Sequence, residues 1–216
     1  MSVFVALVVR DLRQAWGSGA LVLPVAFFLL VATLYPFAVG PDAALLARTG
    51  GGVLWVAALL AALLPVDRLV APDLDAGVVD QLALRGVTEE ALAAAKLVAH
   101  WIAFALPLML ATLPASALLR LDAATLWRLE LGLLLGTPAL AALGVMTSAL
   151  TAGLRGGSAI AGLLMLPLAV PVLIFGAGTL APQAGAAAKL LGAAALLLVA
   201  VAPFAAGAAI RARRSE

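Results

Sequence analysis

The chain has 216 residues, 65% apolar and 11% charged, with thirteen basic and eleven acidic groups and a mean hydropathy of +1.19. A soluble domain carries about 25% charged residues, so too few charges are present to cover a water-facing surface, and an ordinary soluble protein, a nucleic-acid binder and a disordered chain are excluded. The absence of cysteine and the single histidine leave no disulfide, no thiolate site and no multi-histidine metal site.

Residues 2–16, SVFVALVVRDLRQAW, are too short and too charged to span a bilayer. Arg10, Arg13 and Gln14 fall at i, i+3 and i+4 and make one polar helical face, while Phe4, Val5, Leu7, Val8, Leu12 and Ala15 supply apolar surface. Trp16 and Gly17–Ser18–Gly19 follow. The pattern predicts an interfacial helix that breaks into the first span. A frayed extension of that span is the other reading. The apolar stretch beyond it is too long and starts too late for a cleaved signal peptide.

Charge is expensive inside a bilayer, so charge-free windows locate the spans. Six lie between Arg13 and Asp42, Arg48 and Asp67, Lys96 and Arg120, Glu130 and Arg155, Arg155 and Lys189, and Lys189 and Arg211, each of at least 18 residues. A spanning helix needs ~20. The windows predict helices at about 20–39, 50–66, 93–119, 128–151, 158–180 and 188–209. Runs such as Leu59–Leu64 do not alternate with period two, which argues against a membrane β-barrel. The expected fold is an all-α membrane protein, six transmembrane helices after an N-terminal interfacial helix, forming one domain over 1–216. An even number of spans puts both termini on one side. That side carries nine Lys and Arg residues against four on the other (Arg48, Arg120, Arg128 and Lys189), which predicts cytoplasmic termini.

Residues 67–92 form the one sizeable loop on the terminal side and hold six of the eleven acidic residues. Pro72 with Asp73 and Asp75 is a turn or helix-start signal. Val78, Val79, Leu82 and Leu84 then give a short amphipathic segment ended by Gly86. Thr88 can cap the third span, and Glu89 and Glu90 suit its first turn. The segment reads either as a coupling helix that docks a cytoplasmic partner or as a solvated connector.

Inside the membrane, His100 lies four residues past Lys96, ~6 Å along the helix, close to the interface and beside Trp101. It reads as a haem or proton ligand or as a polar interfacial residue bonded to a neighbour. Met109, Met146 and Met165 read as packing. Gly132 and Gly136 make a close-packing step, and Pro138, Pro167 and Pro171 are expected to kink their helices. No GxxxxGK[ST] pattern is present, and no span has a carboxylate, Lys or Arg near its middle. Any work on a substrate is therefore expected to be driven by another chain. No catalytic residue and no metal ligand set is proposed.

The architecture resembles the permease half of an ABC-2-type exporter. Four strings narrow the resemblance: LYPFAVGPDAALLARTGGGVLWVAALLAALL (34–64), AAKLVAHW (94–101), LLLGTPALAALG (133–144) and LPLAVPVLIFG (166–176). Together they closely resemble the haem exporter protein B (CcmB) family of cytochrome c maturation, over about residues 4–210. That resemblance implies an inner-membrane subunit that is not itself an enzyme. It would pair with a separate cytoplasmic ATPase of cytochrome c maturation, CcmA, which binds ATP. The membrane proteins CcmC and CcmD would join it, and the haem chaperone CcmE would be an indirect partner. Two permease copies per complex are expected, within a lipid bilayer and without nucleic acid. Haem is the implied cargo or the load of the released chaperone. No cofactor is assigned to this chain itself, His100 being the single candidate haem ligand.

The family's loop pattern, FxxDxxDGSLxQL, is thought to meet the ATPase. The aligned stretch here is VAPDLDAGVVDQL, residues 70–82. Asp73, Gly77, Gln81 and Leu82 match; Val70, Ala76, Val78 and Val79 depart from the pattern, and Asp75 stands one position before the missing carboxylate. The docking set implied is Asp73, Asp75, Gly77, Asp80, Gln81 and Leu82, and charge reversal at Asp73 is expected to uncouple the ATPase. The alternatives are an ABC-2-type permease for another cargo, such as a lipid or drug, and a scaffold that only transmits ATPase motion.

Overall fold

A computed structural model of the chain describes residues 2–19 and 21–214. These form helices and no strand: α1 (Val3–Gly17), α2 (Val22–Val39), α3 (Ala43–Leu63), a 3-10 turn (Val66–Arg68), α4 (Ala71–Asp75), α5 (Val78–Leu84), α6 (Glu89–Leu118), α7 (Ala123–Thr151), α8 (Gly157–Gly178) and α9 (Gly185–Arg214). Among the described residues, six helices (α2, α3, α6, α7, α8 and α9) are long and apolar enough to cross a membrane.

Most of these helices extend beyond the charge-free windows, and their caps explain why. The Asp42 carboxylate accepts from the N–H groups of Ala44 (2.9 Å) and Leu45 (3.1 Å), so α3 starts at Ala43 instead of 50 and takes Arg48 into its first turns. Asp122 accepts from the Thr125 N–H (2.9 Å), which starts α7 at Ala123 and draws in Arg128 and Glu130. Thr88 caps α6 through the Ala91 N–H (3.2 Å), as its sequence position predicts. The C-terminal helix α9 runs on to Arg214 because Arg211, Arg213 and Arg214 suit the negative end of a helix. A charge gap therefore marks the hydrocarbon-crossing part of a helix, not its ends. With 30 residues each, α6 and α9 are about 45 Å long against a hydrocarbon core of ~30 Å. Their excess length emerges at the end of the bundle where α1, α4 and α5 lie.

Helix α7 is the axis of the bundle. Helices α3, α6, α8 and α9 all pack on it, and most of its residues from Leu129 onward are buried. Where lipid replaces water, close packing holds helices together in place of the hydrophobic effect. Trp55 of α3 shows this. It is fully buried, and its indole lies on three glycines of α7 and α8. A Cβ at Gly136 would come within 2.5 Å of Trp55 Cη2, and one at Gly176 within 2.6 Å of Cζ2. The Gly132–Gly136 step is thus a seat for an indole. Pro138, Pro167 and Pro171 lie inside unbroken helices. A second apolar cluster, with Leu7, Val79, Leu92 and Ile210, packs α1 and α5 against the ends of α6 and α9.

Candidate functional site

One set of charged side chains gathers around α4 and α5. Asp73 is at the centre. Its Oδ2 lies 2.5 Å from Arg10 Nη2 and 2.5 Å from Lys96 Nζ. Asp11 completes the group, 2.6 Å from Arg10 and 3.3 Å from Lys96. Two cations and two carboxylates from α1, α4 and α6 thus balance. Asp73 is only 8% exposed and Lys96 only 7%. Burial opposes the charge on Arg10, but Asp11 and Asp73 outweigh it and hold its pKa above the ordinary arginine value. Lys96, expected as a membrane flank, is a buried partner that ties α6 to both α1 and α4.

A second group closes the other side of α5. Arg214 Nε donates to Asp80 Oδ1 (2.6 Å), and its guanidinium also pairs with Glu89. Arg211 pairs with Glu90 and, at 3.5 Å, with Glu89. The C-terminal end of α9 is thereby fastened to α5 and the start of α6. Gly207 permits the approach, since a Cβ there would lie 3.0 Å from the Glu90 backbone nitrogen.

Between the two groups the chain turns at Gly77, whose φ of +67° is a left-handed conformation that glycine adopts without strain. The six residues of the implied docking set therefore share one short α4–α5 hairpin but divide in orientation. Asp73 and Leu82 face the protein, Leu82 being half-buried on the second apolar cluster. Asp75, Asp80 and Gln81 are exposed. So are Arg85 and Leu84, the latter 89% exposed. Leu84 does not belong to the apolar face with Val79 and Leu82 as expected. Two residues beyond Leu82 is a rotation of ~200° on a helix of 3.6 residues per turn, so the period itself places Leu84 outward.

His100 is 7% exposed and stacks on Phe104 with centroids 5.9 Å apart. It lines a cavity of about 230 Å3 together with Asp11, Asp73 and Lys96. Its Nε2 has no hydrogen-bond partner among the described residues. The neighbouring Trp101 does form a bond, its Nε1 donating to Thr137 Oγ1 at 3.1 Å.

An apolar six-span bundle with one charged, hairpin-bearing end is a common membrane plan, and comparison with known proteins decides the family. The CcmB protein family profile matches residues 2–213. The chain belongs to the CcmB family. Among curated relatives of this family member, heme exporter protein B of Rhodobacter capsulatus is 48% identical over 213 residues, covering 95% of this chain and 97% of the relative. The protein of the same name from Paracoccus denitrificans is 45% identical over 212 residues, with 95% and 97% covered. That of Escherichia coli K12 is 40% identical over 166 residues, 76% of each chain. Family membership fits the all-helical fold of a multi-pass transporter component.

Proposed function

We propose that this CcmB-family chain is the membrane component of an ATP-driven complex for cytochrome c biogenesis. Its termini and the α4–α5 hairpin face the cytoplasm of a bacterial inner membrane. A separate ATPase, CcmA, docks on the hairpin and hydrolyses ATP. CcmC and CcmD join in the membrane, two copies of the chain are present, and the work done is haem export or release of the haem-loaded chaperone CcmE. The relatives' name, heme exporter protein B, supports haem as the cargo. The observation that carries the coupling is the double fastening of one exposed hairpin. Asp73 ties it to α1 and α6, and Asp80 ties it to α9. A push on Asp75, Gln81 or Leu84 therefore reaches three helices as a rigid-body displacement.

Clean deletion of the gene tests this reading. Loss of all c-type cytochromes with b-type haem retained is expected. Normal c-type cytochromes would overturn it in favour of another cargo on the same plan.

A further inference from the structure

The cavity of about 230 Å3 beside His100 lies where α1, the segment from Pro65 to Pro72 and the first half of α6 meet. Its floor is covered: Asp73, Lys96 and His100 are all more than nine-tenths buried. Its rim is exposed, with Gln14 and Ser18 on one side and Arg68 on the other. Helix α1 carries exposed Phe4 and Trp16, the mark of a helix that lies at a membrane surface. From Lys96 to Ala103, both in the lining, is ~10 Å of helix. The cavity therefore begins at the level of the lipid headgroups and runs inward from it.

Floor and rim make opposite demands on a ligand. Asp11 and Asp73 balance Arg10 and Lys96, so the floor has no net charge with which to hold a simple anion or cation. What it lacks is donors. Both cations reach Asp73 through Oδ2, and Oδ1 receives no hydrogen bond among the described residues. His100 makes none either. Unmet acceptors under cover from water are costly, and a ligand that brings N–H groups meets them. At the rim, Arg68 pairs with no carboxylate among the described residues. With the Gln14 amide it offers donors to an anion. A molecule that suits both ends has an ammonium in front and a phosphate behind, and as a zwitterion it leaves the balanced site neutral. An aminophospholipid headgroup has that chemistry and is what a bilayer presents at this depth. A choline headgroup has the same charges without an N–H to donate, and a glycerol headgroup has no cation.

We propose that this cavity binds the phosphoethanolamine headgroup of one phosphatidylethanolamine molecule, its ammonium towards Asp73 Oδ1 and His100 and its phosphate towards Arg68 and Gln14. The inference requires only that the chain sits in a bilayer, and it is independent of the cargo and of the ATPase dock.

The test is native mass spectrometry of the full chain, purified in detergent and equilibrated with equal amounts of phosphatidylethanolamine, phosphatidylcholine and phosphatidylglycerol of the same acyl chains. One phosphatidylethanolamine is expected to stay on each chain, favoured about tenfold over phosphatidylcholine, the factor for one hydrogen bond to a charged group. Arg68→Gln should lower its retention about tenfold. Arg68 is exposed and makes no bond among the described residues, so this variant keeps the fold. His100→Phe, which leaves the stack on Phe104 but removes the ring nitrogens, should narrow the preference over phosphatidylcholine. Equal retention of the ethanolamine and choline lipids, a preference for phosphatidylglycerol, or native behaviour of either variant would overturn the proposal. Displacement of the bound lipid by an equal concentration of water-soluble phosphoethanolamine would overturn the lipid as the source of the headgroup.

Discussion

Asp73 touches cations from two other helices, Arg10 and Lys96, and its removal would leave an unbalanced positive charge at a buried site. Breaking a buried ion pair costs roughly 3–5 kcal/mol, whereas replacing both partners by apolar groups is often close to neutral. Asp73→Leu is therefore expected to lower the thermal midpoint of the purified chain sharply, and Asp73→Leu with Lys96→Met to recover most of the loss; equal melting of single and double variants would contradict the pairing. For the same reason, charge reversal at Asp73 mainly disturbs folding, and Leu84 or Gln81 is the cleaner probe of docking. Gly176→Ala puts a methyl group 2.6 Å from the Trp55 ring. Overpacking of this kind costs about 1–3 kcal/mol, and a second change, Trp55→Leu, should relieve it in the same melting assay. These residues show where sequence reading stops. The Gly132–Gly136 step was legible as close packing, but the indole it receives comes from a helix some eighty residues earlier, and no local pattern links them. Lys96 looked like a flank because hydropathy treats every Lys alike, and only Asp11 and Asp73 make its burial tolerable.

Helix ends obey their caps. Thr88→Ala should cost ~1 kcal/mol, the usual value of an N-cap bond, seen as earlier hydrogen exchange in the first turn of α6. Hydrogen bonds from Thr125 hold the Asp122 carboxyl below its usual value. A lowered carboxylate pKa gives stability that is present above the unfolded value of ~3.9 and is lost as pH falls through the lower folded one. The acid limb of a melting-against-pH profile should therefore shrink in Asp122→Asn, which still caps the helix. Between α6 and α7 the chain turns at Arg120, whose φ is +56°. Left-handed backbone costs an L-residue roughly 1–2 kcal/mol, so Arg120→Gly is expected to raise the melting temperature. All six spans could be read from gaps between charges, because lipid penalises charge at every mid-span position. Two of the starts could not: Asp42 and Asp122 are charges that begin α3 and α7, and charge read only as a boundary places those starts too late, whereas α2 and α8 begin within two residues of the expected 20 and 158. The hairpin was legible as a turn and a short amphipathic helix, whereas its division into a protein-facing and an outward-facing set depended on Arg10 and Arg214, far away in the chain.

The whole molecule is a bundle around α7 with its charged machinery at one end. Two ion groups fasten an exposed hairpin to α1, α6 and α9, and on the proposed reading this makes the hairpin the point at which an ATPase moves the spans. The most direct measurement is the amount of ATPase that purifies with the chain when Leu84 is replaced by Arg, in a complex extracted from a strain whose only copy carries the change. Leu84 is outward and packs on nothing the fold needs, so the variant should reach the membrane at the native level. If the hairpin is the dock, the ATPase is lost from this complex by about tenfold or more, with c-type cytochromes lost in parallel and b-type haem unchanged. Native recovery of the ATPase on Leu84→Arg, and on a companion Gln81→Arg, would contradict the hairpin as its docking site.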